Sequence, residues 1–229
     1  NNAALYGKLV TLLKDFGKHT KEKDHPFVEC ACFPDDIKYI GWKAFNQFHF
    51  YDHYLLGPGK KPEDLKGLPK SRVNMASSLA DARETLKNMK SSQVDDRFGK
   101  SFELRYLIHL VGDVHQPLHA VSRVSTDHPK GDAGGNAFKL SEPKIDLHTL
   151  WDKTVGAYTD VRAPLEGRGW DVIEGISTEL MKKFPRDSLV EELKVKDVSK
   201  WIMESKGLAK EYAYKGVEEG GKVTQAYRD

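Results

Sequence analysis

The stretch from Leu104 to His119, LRYLIHLVGDVHQPLH, constrains this chain more than any other. Leu104, Leu107, Ile108 and Val111 recur at helical spacing and define an apolar face. Among them stand His109, Asp113, His115 and His119. Imidazoles and a carboxylate in such a setting cost several kcal/mol unless they are paired, hydrogen-bonded or bound to metal. His109 and Asp113 are four residues apart, so on a helix they point the same way. Neutral imidazole plus carboxylate is a zinc ligand set, and the stretch reads as half of a metal site. Gln116-Pro117 ends the helix, because the residue before proline avoids the α region, and this turns His119 in a new direction.

A second segment, Asp146-Leu147-His148-Thr149-Leu150-Trp151-Asp152, repeats the spacing with His148 and Asp152. A third such pair, His128 and Asp132, is interrupted by Pro129 and Gly131 and reads as surface loop. Five candidate ligands on two helices exceed one four-coordinate site and suggest a cluster. His49, within Phe48-His49-Phe50-Tyr51-Asp52, fits either a packed core histidine or a further ligand. His19, His25 and His53 show no partner pattern and read as surface residues.

At 229 residues and 39% apolar content, the chain suits one sizeable domain, 1–229. Helices are expected over Ala4–Phe16, from Pro34 onward, and over Arg72–Lys90, Phe98–His115, Asp146–Tyr158, Trp170–Phe184 and Val198–Val217. Lys43–Tyr51 reads as a short extended segment, while Gly17–Cys30, Gly57–Pro69 and Arg123–Gly135 read as loops. The expected fold is mainly α with at most a short β-hairpin. A net charge of +2 lacks the strongly basic signature of an electrostatic DNA binder. No apolar run is long enough to span a membrane. Cys30 and Cys32 are too close to bridge each other without strain, so free thiols are expected.

Together these segments resemble the S1/P1 nuclease family of zinc-dependent single-strand nucleases and 3′-nucleotidases. The resemblance rests on Ala31–Asp35, His49–Asp52, Leu104–His119, Gly134-Gly135-Asn136 and Leu147–Asp152, and covers about half of the chain. It implies a multi-helix fold of the phospholipase C/P1 nuclease type. It further implies that Asp35, His49, His109 and Asp113 bind one Zn²⁺ and that His119, His148 and Asp152 bind a second. Asp113 would bridge to a third, whose other ligands, an N-terminal Trp and a nearby His, are not in this sequence. Segments native to both ends are therefore expected beyond it. His115 is not a ligand in the family's pattern.

By the same resemblance, a metal-activated hydroxide attacks phosphorus in line, with Asp35, Lys38 and Asp113 as catalytic residues. Lys38 stands where the family usually has Arg, so a point charge replaces a bidentate fork. Phe50 would stack on a base and Asp52 accept from a base amino group, while Asn136 fits either a nucleotide contact or a turn residue. The implied substrates are single-stranded nucleic acid and 3′-nucleotides. The implied setting is secreted or secretory/lysosome-like, as a monomer with no stable protein partner. The alternatives are a zinc-dependent phospholipase C, which shares the fold, and a catalytically inert zinc-binding relative.

Overall fold

A computed structural model describes residues 22–39, 43–88, 94–158 and 161–228. The helix expected over Ala4–Phe16, and His19, lie outside them. The fold is mainly α, and the chain falls into two compact units.

One unit combines Asn1–Asn46, Ala82–His109 and Val161–Glu179. Within the loop expected over Gly17–Cys30, a proline-initiated helical turn, α1 (Pro26–Glu29), leads into α2 (Phe33–Tyr39). Asp35 and Asp36 occupy the first turn of α2, where carboxylates complement the helix dipole. Phe33 and Ile37 are its buried face. Phe33 meets Phe102 edge-on at 6.1 Å, and Phe102 lies 4.7 Å from Tyr106. The buried Glu29 carboxylate accepts the backbone N–H groups of Lys23 at 2.6 Å, His25 at 3.3 Å and Leu165 at 2.6 Å. His25, expected at the surface, stacks on Trp170 at 3.7 Å.

The segment Lys43–His49 is a 3₁₀ helix, not the extended segment its aromatic content suggests. Phe45 packs against Phe102 and Tyr106, so tertiary contacts of one aromatic face override β propensity.

The other unit combines Gln47–Asp81, Leu110–Asp160 and Leu180–Asp229. Its sheet is two short strands, β1 (His53–Leu56) and β2 (Val121–Val124), paired in parallel with His53 opposite Val121. This corrects the expected hairpin. Parallel neighbours need a long crossover, and here the intervening chain is largely helical. Helix α3 (Met75–Asn88) begins behind Asn74, whose side chain accepts from Ala76 and Ser77. Helix α4 (Val94–His115) contributes buried Leu110 and Val114 to this unit, and Ser205 Oγ donates to the Val114 carbonyl at 2.6 Å. Helix α5 (Leu147–Asp152) is capped by Asp146, which accepts from Thr149 N, and buries Leu147 and Leu150. Helices α6 (Arg168–Lys183) and α7 (Val198–Leu208) follow, the latter running into a π turn at Ala209–Ala213. A short helix, α8 (Gln225–Arg228), closes the described chain.

Cys30 and Cys32 are not joined by a disulfide, and the Cys30 thiol donates to the Phe27 carbonyl at 3.1 Å. No helix among the described residues is long and apolar enough to cross a membrane.

Candidate metal centre and base pocket

Where α4 stops at His115, the backbone of Gln116 becomes extended and Pro117–Ala120 forms one 3₁₀ turn. That turn aims His119 toward α5, where His148 and Asp152 lie one helical turn apart. The three side chains converge. His119 Nε2 is 3.5 Å from Asp152 Oδ1, and His148 Nε2 is 3.5 Å from Asp152 Oδ2. Their potential ligand atoms all lie within 4.8 Å of one another.

These separations are long for hydrogen bonds. They match the roughly 3.3 Å edge of a tetrahedron whose ligands sit about 2 Å from a central zinc. The opposite ring nitrogens are occupied. His119 Nδ1 donates to the His49 carbonyl at 2.7 Å, and His148 Nδ1 donates to the Gly134 carbonyl at 2.8 Å. Nδ1 keeps its proton in these bonds, so each ring would turn an Nε2 lone pair toward Asp152 once Nε2 gives up its own proton, as metal binding requires. Gln116 holds the carboxylate from the other side, its Nε2 donating to Asp152 Oδ1 at 2.8 Å, while its Oε1 accepts from Leu118 N at 2.6 Å. The donor set therefore fits a divalent metal.

Burial opposes charge on His119, but the flanking Asp152 and Asp113 carboxylates outweigh it and raise the imidazole to about 9. Burial likewise disfavours an ionised Asp152. The adjacent imidazoles and the Gln116 amide prevail and hold it below the usual carboxylate range.

The remaining candidate ligands are placed as follows. In the first unit, Asp35 is exposed at the start of α2, 3.6 Å from His109 Nε2, and Lys38 pairs with it at 2.5 Å. His109 Nδ1 donates to the Ala31 carbonyl at 2.7 Å, the same anchoring seen at His119 and His148. In the second unit, buried His49 contacts Asp113 Oδ2 through Nδ1 at 3.0 Å, and Asp113 Oδ1 lies 3.7 Å from His119. His115 is exposed, bonds the Val111 carbonyl through Nδ1, and packs against Trp201 at 5.3 Å.

Phe50 and Asp52 line a cavity of about 260 Å³ with Tyr51, His53, Lys70 and Asn74. Burial and the nearby Asp132 raise the Asp52 carboxyl. Burial, with the charges of Lys206 and Lys70, lowers the His53 imidazole, which is half-buried in this wall and not at the surface. Asn136 is not part of that lining. Its side chain donates to the Ala133 carbonyl within its own turn.

Asp132, expected in a surface loop, is fully buried. It accepts from Arg123 N at 2.8 Å and from Tyr214 Oη at 2.9 Å. Gln116, legible in the sequence only as the helix-ending residue before Pro117, also caps the turn that follows, and its hold on Asp152 had no sequence signal.

A mainly α chain that gathers His and Asp side chains at its helix ends has groups that could hold a metal ion. The S1/P1 Nuclease family model matches residues 3–229, and the chain belongs to that family. It is 32% identical to Endonuclease 2 of Arabidopsis thaliana over 130 residues, 54% of this chain and 42% of that protein. It is 29% identical to Endonuclease 1 of the same plant over 140 residues, 58% of this chain and 43% of that protein. Endonuclease 4 aligns across 90% of this chain and 70% of its own length at 27% identity. The chain thus spans less than half the length of the first two relatives.

Proposed function

We propose that this protein is a zinc-dependent phosphodiesterase that hydrolyses single-stranded DNA and RNA to 5′-nucleotides and removes phosphate from 3′-nucleotides. One junction carries the reading. The His49–Tyr51 segment clasps His119, with His119 Nδ1 donating to the His49 carbonyl and Tyr51 N donating to the His119 carbonyl, both at 2.7 Å. The aromatic cavity and the His119/His148/Asp152 cluster are thereby held side by side. A nuclease needs this combination: one face for a base, the next for its phosphate.

His119, His148 and Asp152 would hold one ion. The family's pattern assigns Asp35, His49, His109 and Asp113 to another and has Asp113 shared with a third. Bound zinc supplies Lewis acidity at phosphate and activates water near neutral pH. The chain's own residues do the rest. Phe50 offers a ring on which any base can stack, a contact worth roughly 1–3 kcal/mol and tolerant of sequence. Asp52 accepts from a base amino group where the base carries one. Lys38 contributes positive charge for the phosphate, tempered by its pairing with Asp35. Stacking requires a splayed base, hence the preference for single strands. The same resemblance assigns the protein to a secreted or secretory/lysosome-like setting, as a monomer.

The test is metal analysis and turnover of the full-length protein. The reading expects bound zinc, hydrolysis of single-stranded DNA that stops with chelator and returns with zinc, and no release from phosphatidylcholine. Headgroup release without DNA cleavage would instead make it a phospholipase. Bound zinc with no turnover on either would make it an inert relative.

A further inference from the structure

Next to the Phe50/Asp52 cavity, and sharing Tyr54 and Leu65 with it, lies a second hollow of about 620 Å³. Arg123, Lys206, Lys210 and Lys215 supply its charged wall. Among the described residues lining it there is no carboxylate. None of the four cations forms an ion pair with a described residue. Like charges gathered this way repel one another unless an anion enters.

Arg123 is held rigidly. Its guanidinium lies 4.8 Å from the Phe138 ring and 4.3 Å from the Tyr214 ring, and buried Asp132 secures both Tyr214 and the Arg123 backbone. Its Nε is buried and makes no hydrogen bond to any described residue. A planar, pre-aimed guanidinium is suited to phosphate oxygens. Lys206 lies in the last turn of α7 and Lys210 in the π turn that follows, an irregularity often found where helices serve a site. The field crosses the shared wall: after burial, Lys206 and then Lys70 lower the His53 imidazole.

We propose that this hollow binds the phosphodiester backbone of a single strand whose base occupies the adjoining cavity, which rests on the nuclease reading above. The protein would then bind oligonucleotides more tightly than mononucleotides, through phosphates beyond the cleaved one.

The experiment measures anisotropy of a labelled, hydrolysis-resistant phosphorothioate dT ten-mer across a salt series, with 3′-dTMP and inorganic phosphate as competitors. Each phosphate contact on a single strand contributes about 0.7 to the salt slope. The variant K206Q/K210Q should lower the slope by about 1.4. The pair K182Q/K183Q, in the last turn of α6 and outside the hollow's lining, serves as the control and should leave it unchanged. An unchanged slope in K206Q/K210Q, or an equal drop in the control, overturns the proposal. Phe50→Ala separates the two readings: it should weaken 3′-dTMP binding through the base cavity alone. If F50A weakens 3′-dTMP while the lysine variants leave the ten-mer unaffected, the backbone hollow is wrong and the nuclease reading stands. If wild-type protein binds neither nucleotide nor ten-mer, both fall.

Discussion

An imidazole coordinates a metal well when its second nitrogen is committed elsewhere. In this protein three candidate ligands commit it in the same way, to the backbone carbonyls of Ala31, His49 and Gly134. The spacing of His109, His119 and His148 was legible in the sequence. Those carbonyls were not, because each is remote in sequence from the ring it orients. Gly134 shows how narrow the tolerance is. It sits at φ +61°, and a Cβ there would lie 2.4 Å from the Leu118 carbonyl oxygen, one residue before His119. Gly134→Ala should lower metal affinity at least about tenfold, as loss of an orienting partner does, and competition with a chromogenic chelator reads it directly.

Glu29 yields a prediction of a different kind. Burial alone would raise its carboxyl, but three backbone N–H donors hold it below the ordinary glutamate range. A depressed carboxyl stabilises the fold above its unfolded value, and that contribution is lost as pH falls through the folded one. Denaturation midpoints should therefore drop below about pH 4, where unfolded glutamates take up protons. Glu29→Gln should be less stable at neutral pH and flatter across the acid range.

The decisive element is the turn after α4. Proline stops the helix, and Gln116 then serves two ends of one side chain, capping Leu118 and holding Asp152. Gln116→Ala should reduce metal affinity by about 10–100-fold with little change in far-UV circular dichroism, because the helix itself ends at Pro117 regardless. Elements of this length were readable from periodicity; the long helices appear close to where their apolar spacing puts them. The parallel strands were not readable. Each is four residues long, and their partnership spans a region of unrelated pattern. The loop from Arg123 misled for a related reason. Its Gly, Asp and Ser content suggests exposure, yet Asp132 is drawn inside by Tyr214, a residue distant in sequence.

For the molecule as a whole, metal and fold are expected to be linked. The His119/His148/Asp152 cluster gathers carboxylate and imidazole groups that an ion would reconcile. A ligand at a thousand times its Kd stabilises by about 4 kcal/mol. For a chain of this size that corresponds to roughly 8–16 °C in Tm. Chelation should lower the melting temperature by that order, and zinc should restore it better than magnesium, which prefers all-oxygen sites. Differential scanning fluorimetry of chelated and reloaded protein checks it; an unmoved transition would rule out a metal that supports the fold.

The clasp between His119 and the His49–Tyr51 segment has one more consequence. Two hydrogen bonds tie the orientation of the candidate ligand His119 to the wall of the Phe50/Asp52 cavity, so a shift in one strains the other. Occupancy of one place should then be felt at the other, and by thermodynamic reciprocity the factor must be equal in both directions. Adenosine, which has a base but no phosphate to reach the ion, should tighten metal retention by the same ratio that metal tightens adenosine. Paired calorimetric titrations, each with and without the other partner, measure the two factors independently. A base that carries no reacting group would thus help keep the reaction centre assembled.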